Sequence, residues 1–403
     1  MRTVTSLFRM VTPSSSSGET CDRDVGLDPR ARAFLRMLEI WGWPPTWTRT
    51  PRQARHDLRI LHAATGSWRP VRDVRDARIP GPDGTIPVRV YRPGRRGDTD
   101  RPLIVYFHGG GFVIGDLFTA DGACRRLANA AGATVVSVHY RRAPEHPLPA
   151  AQEDAYAAAR WVQQHARQLG ADPGRLVVAG DSAGGGLAAH VAQRLRDDGR
   201  APAALQVLVN PGLDFSLEHT DRDPALARLL DWDTIDWFAA HAVPPAVDRT
   251  DPVISPSRAP DLTGLPPAVV ITAGVDPFRQ DAKHYVRALE SAGVAVEWHD
   301  FPGQLHGFTD MDLVFPAARD SLQRIATAVR RATAAEMPVA LVSDERIPWS
   351  RPDGGLLRRL WEDAQRLPLV NGPDALRSLL AARLTTAAFR LHPSTGTCGG
   401  AGP

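Results

Sequence analysis

Short apolar runs recur along the chain, and stretches with helical periodicity separate most of them. The runs are Leu103–Phe107, Thr134–Val138, Arg175–Ala179, Leu205–Val209, Ala268–Ala273 and Val294–Phe301. The helical stretches are Ala120–Ala131, Ala150–Leu169, Ala183–Arg196 and Ala317–Arg331. A strand apolar on both faces must be covered on both faces, and a helix between two such strands provides cover and crossover together. The pattern therefore predicts an α/β fold built on a mostly parallel sheet. Ahead of it, Val71 to Pro93 alternates around a Gly81–Gly84 turn and reads as a hairpin.

Three intervals depart from this rhythm. Residues 1–26 are polar, with Ser14 to Ser17 in a row, and are expected to be a disordered start. Residues 27–70 carry two helical patterns, the first opened by Asp28-Pro29 with an apolar stripe of Phe34, Leu35, Leu38 and Ile40. Residues 211–267 form a long, Pro-rich, acidic insertion in the 71–335 domain. An insertion there is expected to sit over the carboxyl ends of the strands, where ligands bind. Residues 336–403 are a C-terminal extension with helical patterns at Leu356–Arg366 and Asp374–Phe389. The second bears the stripe Leu376, Leu379, Leu380 and Leu384. That stripe needs a partner surface: this chain's own body, a second copy in a homo-oligomer, or the pocket mouth.

Composition excludes several classes. Hydrophobic residues are 43% and charged residues 23% of the 403, which suits a globular protein. No run approaches the ~20 apolar residues of a membrane span. Lys283 is the single lysine among 48 basic residues, and the arginines are scattered among 45 acids without a basic block. No nucleic-acid partner is expected. Cys21, Cys124 and Cys398 are too far apart for a disulfide framework or a zinc site. The first residues lack the ~7–15-residue apolar core of a signal peptide. The expectation is a cytoplasmic protein with no metal site, and with Cys124 as a small buried hydrophobe.

The strongest chemical signal is Gly180-Asp181-Ser182-Ala183-Gly184, between the strand RLVVA and a helix. A G-x-S-x-G in that setting is a nucleophile elbow: the tight turn excludes side chains beside Ser182 and lifts its hydroxyl above the sheet. Read structurally, it would be a Gly-rich turn and nothing more. The second signal is His108-Gly109-Gly110-Gly111-Phe112, directly after the strand LIVYF. Consecutive glycines let amides approach a ligand. Gly109 and Gly110 are read as oxyanion donors with Ala183, and His108 as a structural brace. A serine needs a base, and the base an orienting acid. In the order serine, acid, histidine, Asp276 follows the strand AVVITAG and His306 follows VAVEWHDF. Asp281, His219, His241, His284 and His299 are the competitors. Glu145 reads as a loop brace, and Asp181 is assigned no catalytic role.

Together, HGGGF, GDSAGG, DPFRQDA and HGF resemble the hormone-sensitive-lipase family of α/β-hydrolases, the bacterial family IV esterases. HYRRAPEHPLPAA (His139–Ala151) is similar to that family's YRLAPEHPFPA segment, and IPGPDGTIPVRVYRP (Ile79–Pro93) also matches the pattern. The likeness covers about Leu27 to Arg331. His139, Arg142 and Gln280 depart from it, and the tail matches nothing in it. The resemblance implies an eight-stranded, mostly parallel sheet flanked by helices. It also implies a cap from the N-terminal helices and the insertion, and cofactor-free hydrolysis of short- to medium-chain acyl esters, acetyl esters included. Trp41, Trp43, Trp232, Trp237 and Phe238 are the aromatics that would suit a compact pocket. Two alternatives stay open. One is an amidase or arylformamidase on the same triad. The other is a non-catalytic small-ligand-binding protein, as in the plant gibberellin receptor, which the sequence also resembles. That receptor lacks the catalytic histidine, whereas His306 is present here.

Overall fold

The computed structural model describes residues 26–94, 100–199, 202–218, 222–334 and 347–350. The expected disordered start therefore lies, Gly26 apart, outside the described residues, as do both helical patterns of the tail. The elements run α1 Pro29–Ile40, α2 Pro51–Thr65, β1 Asp73–Gly81, β2 Gly84–Arg92, β3 Leu103–Phe107, α3 Asp121–Ala131 and β4 Thr134–Val138. They continue with α4 Ala150–Gln164, α5 Ala166–Leu169, β5 Leu176–Asp181, α6 Ala183–Asp197, β6 Leu205–Val209 and α7 Trp232–Ala242. β7 Ala268–Val275, α8 Arg279–Ser291, β8 Val296–Leu305 and α9 Ala317–Ala332 complete them.

The strands form one eight-stranded sheet in the order β1-β2-β4-β3-β5-β6-β7-β8. β2 is antiparallel to β1 and β4, and every pairing from β4 to β8 is parallel. β3, β4 and β6 are buried at every position, as continuous apolar strands between two helical layers must be. One layer packs α4, α6 and α8 residues such as Val162, Leu187 and Leu289 on the sheet. The other packs α1, α3 and α9 residues such as Phe34, Leu127 and Val329. Cys124 of α3 is a fully buried free thiol.

The strand order reverses direction at β3, which lies between β4 and β5. Loops leaving the carboxyl ends of β3 and β5 therefore diverge and leave a crevice, the place where open α/β sheets bind ligands. The loops holding His108 and Ser182 are those two.

Three expectations change. The helix expected over Ala150–Leu169 breaks at His165, whose Nδ1 donates to the Trp161 carbonyl at 2.8 Å while its ring stacks on the Trp161 indole at 3.9 Å. The last strand runs on through Pro302 and Gly303 to Leu305. Its outer edge pairs with no other strand of the sheet, and an edge strand tolerates proline because its N–H has no ladder partner to lose. Gly303, at φ 72°, gives its carbonyl to the Asp28 amide at 3.0 Å, so the strand also anchors the start of α1. Ile40, placed on the apolar stripe of α1, is exposed because the helix ends there and turns through Trp41.

Candidate active site

Ser182 sits between the end of β5 and the first residue of α6 with φ 53° and ψ −120°. A non-glycine residue held there costs about 1–3 kcal/mol. The surroundings over-determine it. Its amide donates to Val209 O at 2.8 Å, and its carbonyl accepts from Gly185, Gly186 and Gly212. A Cβ on Gly184 would come within 2.0 Å of the Phe107 carbonyl oxygen, so the turn can press against β3 only with glycine there.

His306 follows β8 directly and Asp276 follows β7 directly, so all three side chains meet on one rim. His306 Nε2 lies 2.9 Å from Ser182 Oγ, and His306 Nδ1 lies 2.8 Å from Asp276 Oδ2. Asp276 is buried, and its other oxygen accepts from the Phe278 amide at 2.9 Å. Burial by itself lowers the His306 imidazole. The Asp276 carboxylate, with Asp181 and Asp310 behind it, outweighs that and holds the imidazole above its ordinary 6.5.

The competitors are elsewhere. Asp281 is buried under the loop after β6, where its Oδ2 accepts from the Leu213 amide at 3.1 Å, and burial pushes its carboxyl up to about 7. His299 lies on β8 against Arg324, His284 on α8, and His241 binds the Trp237 carbonyl; His219 lies outside the described residues.

The glycine loop differs from expectation at one amide. Gly109 N–H donates to Asp181 Oδ1 at 3.0 Å, so it faces away from Ser182's substrate side. Gly110 and Gly111, at φ 117° and 58°, carry the chain around the turn. Among the described residues no protein acceptor takes the amides of Gly110, Gly111 or Ala183. The donors left for an anion are therefore Gly110, Gly111 and Ala183, rather than Gly109, Gly110 and Ala183. His108 braces the loop as expected, stacked on Tyr140 at 4.3 Å with its carbonyl accepting from the Tyr140 hydroxyl at 2.7 Å.

A cleft opens in front of Ser182. Its walls include Gly111, Phe112, Ala183 and Phe278 from the body, and Phe215, Leu230, Ile235, Phe238 and Ala239 from the insertion. Phe238 lines the cleft. Trp232 and Trp237 do not line the cleft: the guanidinium of Arg222 lies 5.3 Å from the Trp232 ring centre, and Trp237 packs between Phe238 and His241. Nor do Trp41 and Trp43 reach it.

Sequence reasoning missed how α2 serves the site. Arg55 donates from Nε to Val113 O at 2.8 Å and from Nη2 to Ala143 O at 2.8 Å, and it forks onto Glu145 at 2.7 and 2.6 Å. Arg59 binds Asp116 at 2.6 Å, and His62 Nδ1 meets Thr119 O at 2.9 Å. One helix face thus holds the loop that continues from the glycines. The available signal was two arginines four apart on α2, a like-charge pair that disfavours a helix unless acceptors lie opposite. Glu145 is the loop brace it was read as.

A serine, an imidazole and a carboxylate in a row at the switch point of such a sheet define the class of α/β-hydrolases. A family model described as alpha/beta hydrolase fold matches residues 104–310. The carboxylesterase NlhH of Mycobacterium tuberculosis is 46% identical over 310 residues, which is 75% of this chain and 88% of that protein. The esterase LipI of the same organism is 46% identical over 269 residues, 63% of this chain and 81% of that protein. Among solved structures, the ester-hydrolase EH1AB1 from the metagenome of Lake Arreo superposes with a TM-score of 0.73 at 36% identity, covering 77% of this chain and 100% of that one. The chain belongs to this α/β-hydrolase family, in its hormone-sensitive-lipase branch. Among the described residues no helix is long and apolar enough to cross a membrane, and no group of side chains could hold a metal ion.

Proposed function

We propose that the chain is a serine carboxylesterase acting on short- to medium-chain acyl esters. The observation that carries the reading is His306, hydrogen-bonded to Ser182 on one nitrogen and to Asp276 on the other, beside an apolar cleft. Relatives named as esterases support it. His306 takes the Ser182 proton as Oγ attacks the ester carbonyl. The amides of Gly110, Gly111 and Ala183 receive the oxyanion, a contribution worth about 3–4 kcal/mol per donor. His306 returns its proton to the leaving alcohol, and water repeats the cycle to free the acid. Asp276 holds the tautomer and stabilises the imidazolium. Phe238, Ile235 and Phe215 favour an apolar acyl group of limited length, since apolar rings and methyl groups cannot satisfy a polar one. A cytoplasmic setting accords with a buried, unpaired Cys124.

The test is a panel of acyl esters of increasing length with matched amides, run on the wild type and on Ser182→Ala. Turnover peaking at short acyl length, absent from Ser182→Ala, is expected. Preference for the amide would make the enzyme an amidase, and no turnover by the wild type would leave a binding protein.

A further inference from the structure

We propose that Asp181 is a positioning residue for ester hydrolysis: its carboxylate ties the glycine loop to the nucleophile turn and thereby decides which amides face the substrate. The inference rests on the reading of the site as a serine esterase and adds a residue to it.

Asp181 ends β5 immediately before Ser182, and the glycine loop leaves the end of neighbouring β3. The two strands are in register there, with Phe107 opposite Gly180. At the switch point their loops part, so no ladder hydrogen bond couples them beyond that pair. The Asp181 side chain spans the gap. Its Oδ1 accepts from the Gly109 amide at 3.0 Å and from the Tyr106 hydroxyl at 2.7 Å. A Cβ on Gly109 would come within 2.1 Å of Asp181 Oδ2, so the carboxylate is seated directly against the loop backbone.

Consecutive amides of a turn point in different directions. Committing the Gly109 N–H to Asp181 sets the peptide plane from which Gly110 and Gly111 continue. Those two amides, with that of Ala183, donate to no protein acceptor among the described residues. Without an acceptor at 181, nothing on the nucleophile side dictates the orientation of Gly109. The far end of the loop stays held by Arg55 through Val113 O, so a loss at 181 acts on the glycines and not on the whole segment. A hydrogen bond that differs between ground state and transition state alters turnover, whereas one that merely holds the fold alters stability.

The experiment uses the full chain and the variants Asp181→Ala, Asp181→Asn and Tyr106→Phe. It measures steady-state hydrolysis of p-nitrophenyl butyrate and inhibition by two probes. One is an alkyl trifluoromethyl ketone, to which Ser182 Oγ adds at the carbonyl carbon; the serine proton passes to His306 and the ketone oxygen becomes the oxyanion. The other is an alcohol of the same chain length, which forms no oxyanion. For Asp181→Ala, kcat should fall by about 10–100-fold, less than or near the loss of a whole oxyanion donor at ~10²–10³. The ketone should weaken by a similar factor, while KM and the alcohol stay within about threefold. Asp181→Asn keeps an oxygen acceptor and should recover most of the turnover. Tyr106→Phe leaves the Gly109 bond in place and should stay within about threefold of wild type. If Asp181→Ala does not fold, Asp181→Leu fills the space without an acceptor and is judged by the same outcomes. Unchanged kcat and ketone affinity at 181, or equal losses for ketone and alcohol, would overturn the inference. A wild type that turns over no ester would instead overturn the esterase reading on which it rests.

Discussion

Ser182 carries two burdens, a strained backbone and a reacting hydroxyl, and substitutions separate them. Ser182→Ala removes the hydroxyl and keeps the strain. Ser182→Gly removes the hydroxyl and tolerates φ 53° without a Cβ penalty. Both should lose about a millionfold in turnover, as loss of a triad nucleophile does. The glycine variant should have the higher midpoint in urea, and a lower one would mean that the turn is not strained. His306 sets the acid limb. It must be neutral to accept the Ser182 proton, and its pKa lies above 6.5 because of Asp276, so kcat/KM should rise with pH through a value above 6.5. Asp276→Asn removes the charge that raises it. Its limb should move to lower pH and its plateau should fall by up to about ten-thousandfold. Asp281→Asn, whose side chain meets Leu213 and not His306, should leave the limb where it is. pH profiles of the three enzymes decide this, and a shifted limb in Asp281→Asn would reassign the acid.

At the level of elements, α2 matters for what it grips. Arg55 gives hydrogen bonds to two loop carbonyls and an ion pair to Glu145, and these are unequal in worth. Glu145 is 54% exposed, so that pair contributes less than about 1 kcal/mol even though Arg55 draws the carboxyl down to about 2. Stripping Val113 O and Ala143 O of their donor leaves part-buried acceptors unpaired, at about 1–3 kcal/mol. Arg55→Ala should therefore lower the free energy of unfolding by about 2 kcal/mol or more, and Glu145→Gln by under about 1 kcal/mol. Denaturant titrations measure both, and equal losses would make the ion pair the dominant contact. None of this could be read from the local sequence, because Arg55 lies 58 and 88 residues from its two carbonyl partners. The helix itself was readable from its capping box of Thr50 and Gln53 and its Pro51 start.

For the molecule as a whole, the open question is where the hydrolase ends. The sequence reading closes it at α9, with the remainder as an extension. Residues 347–350 nevertheless pack on the body. Ile347 is buried in the core, and Ser350 exchanges backbone hydrogen bonds with Asp76 on the edge strand β1 at 2.9 and 3.0 Å. Trp349 lies under Arg75 and Arg92, their guanidinium carbons 5.7 and 5.1 Å from its ring. Of the three places weighed for the tail, residues 347–350 use the chain's own body; the Leu376–Leu384 stripe lies outside the described residues. Burying Ile347 contributes about 2 kcal/mol, and the contact also covers a strand edge that would otherwise be open to pairing. Truncation after residue 336 should lower the melting temperature and keep turnover on short esters. Truncation after residue 350 should keep both. Thermal melts and kinetics of the two truncations test this, and loss of turnover with an intact fold would put the tail in the active site.

The sequence alone determined the mostly parallel sheet, its helical layers and the turn at Ser182. Each of these follows from residue types at short separations: apolar runs, 3.6-residue periodicity, glycines flanking a serine. It did not determine which glycine amides face the cleft, because an amide's direction depends on torsions that the Asp181 contact imposes from another strand. It did not show β8 continuing through Pro302-Gly303, which locally reads as a turn and is permitted only because β8 is an edge. Nor did it distinguish Phe238 from its tryptophan neighbours at the cleft, since all are apolar on the same insertion. Those choices belong to tertiary structure, where the partner that satisfies a polar group or covers a ring lies far along the chain.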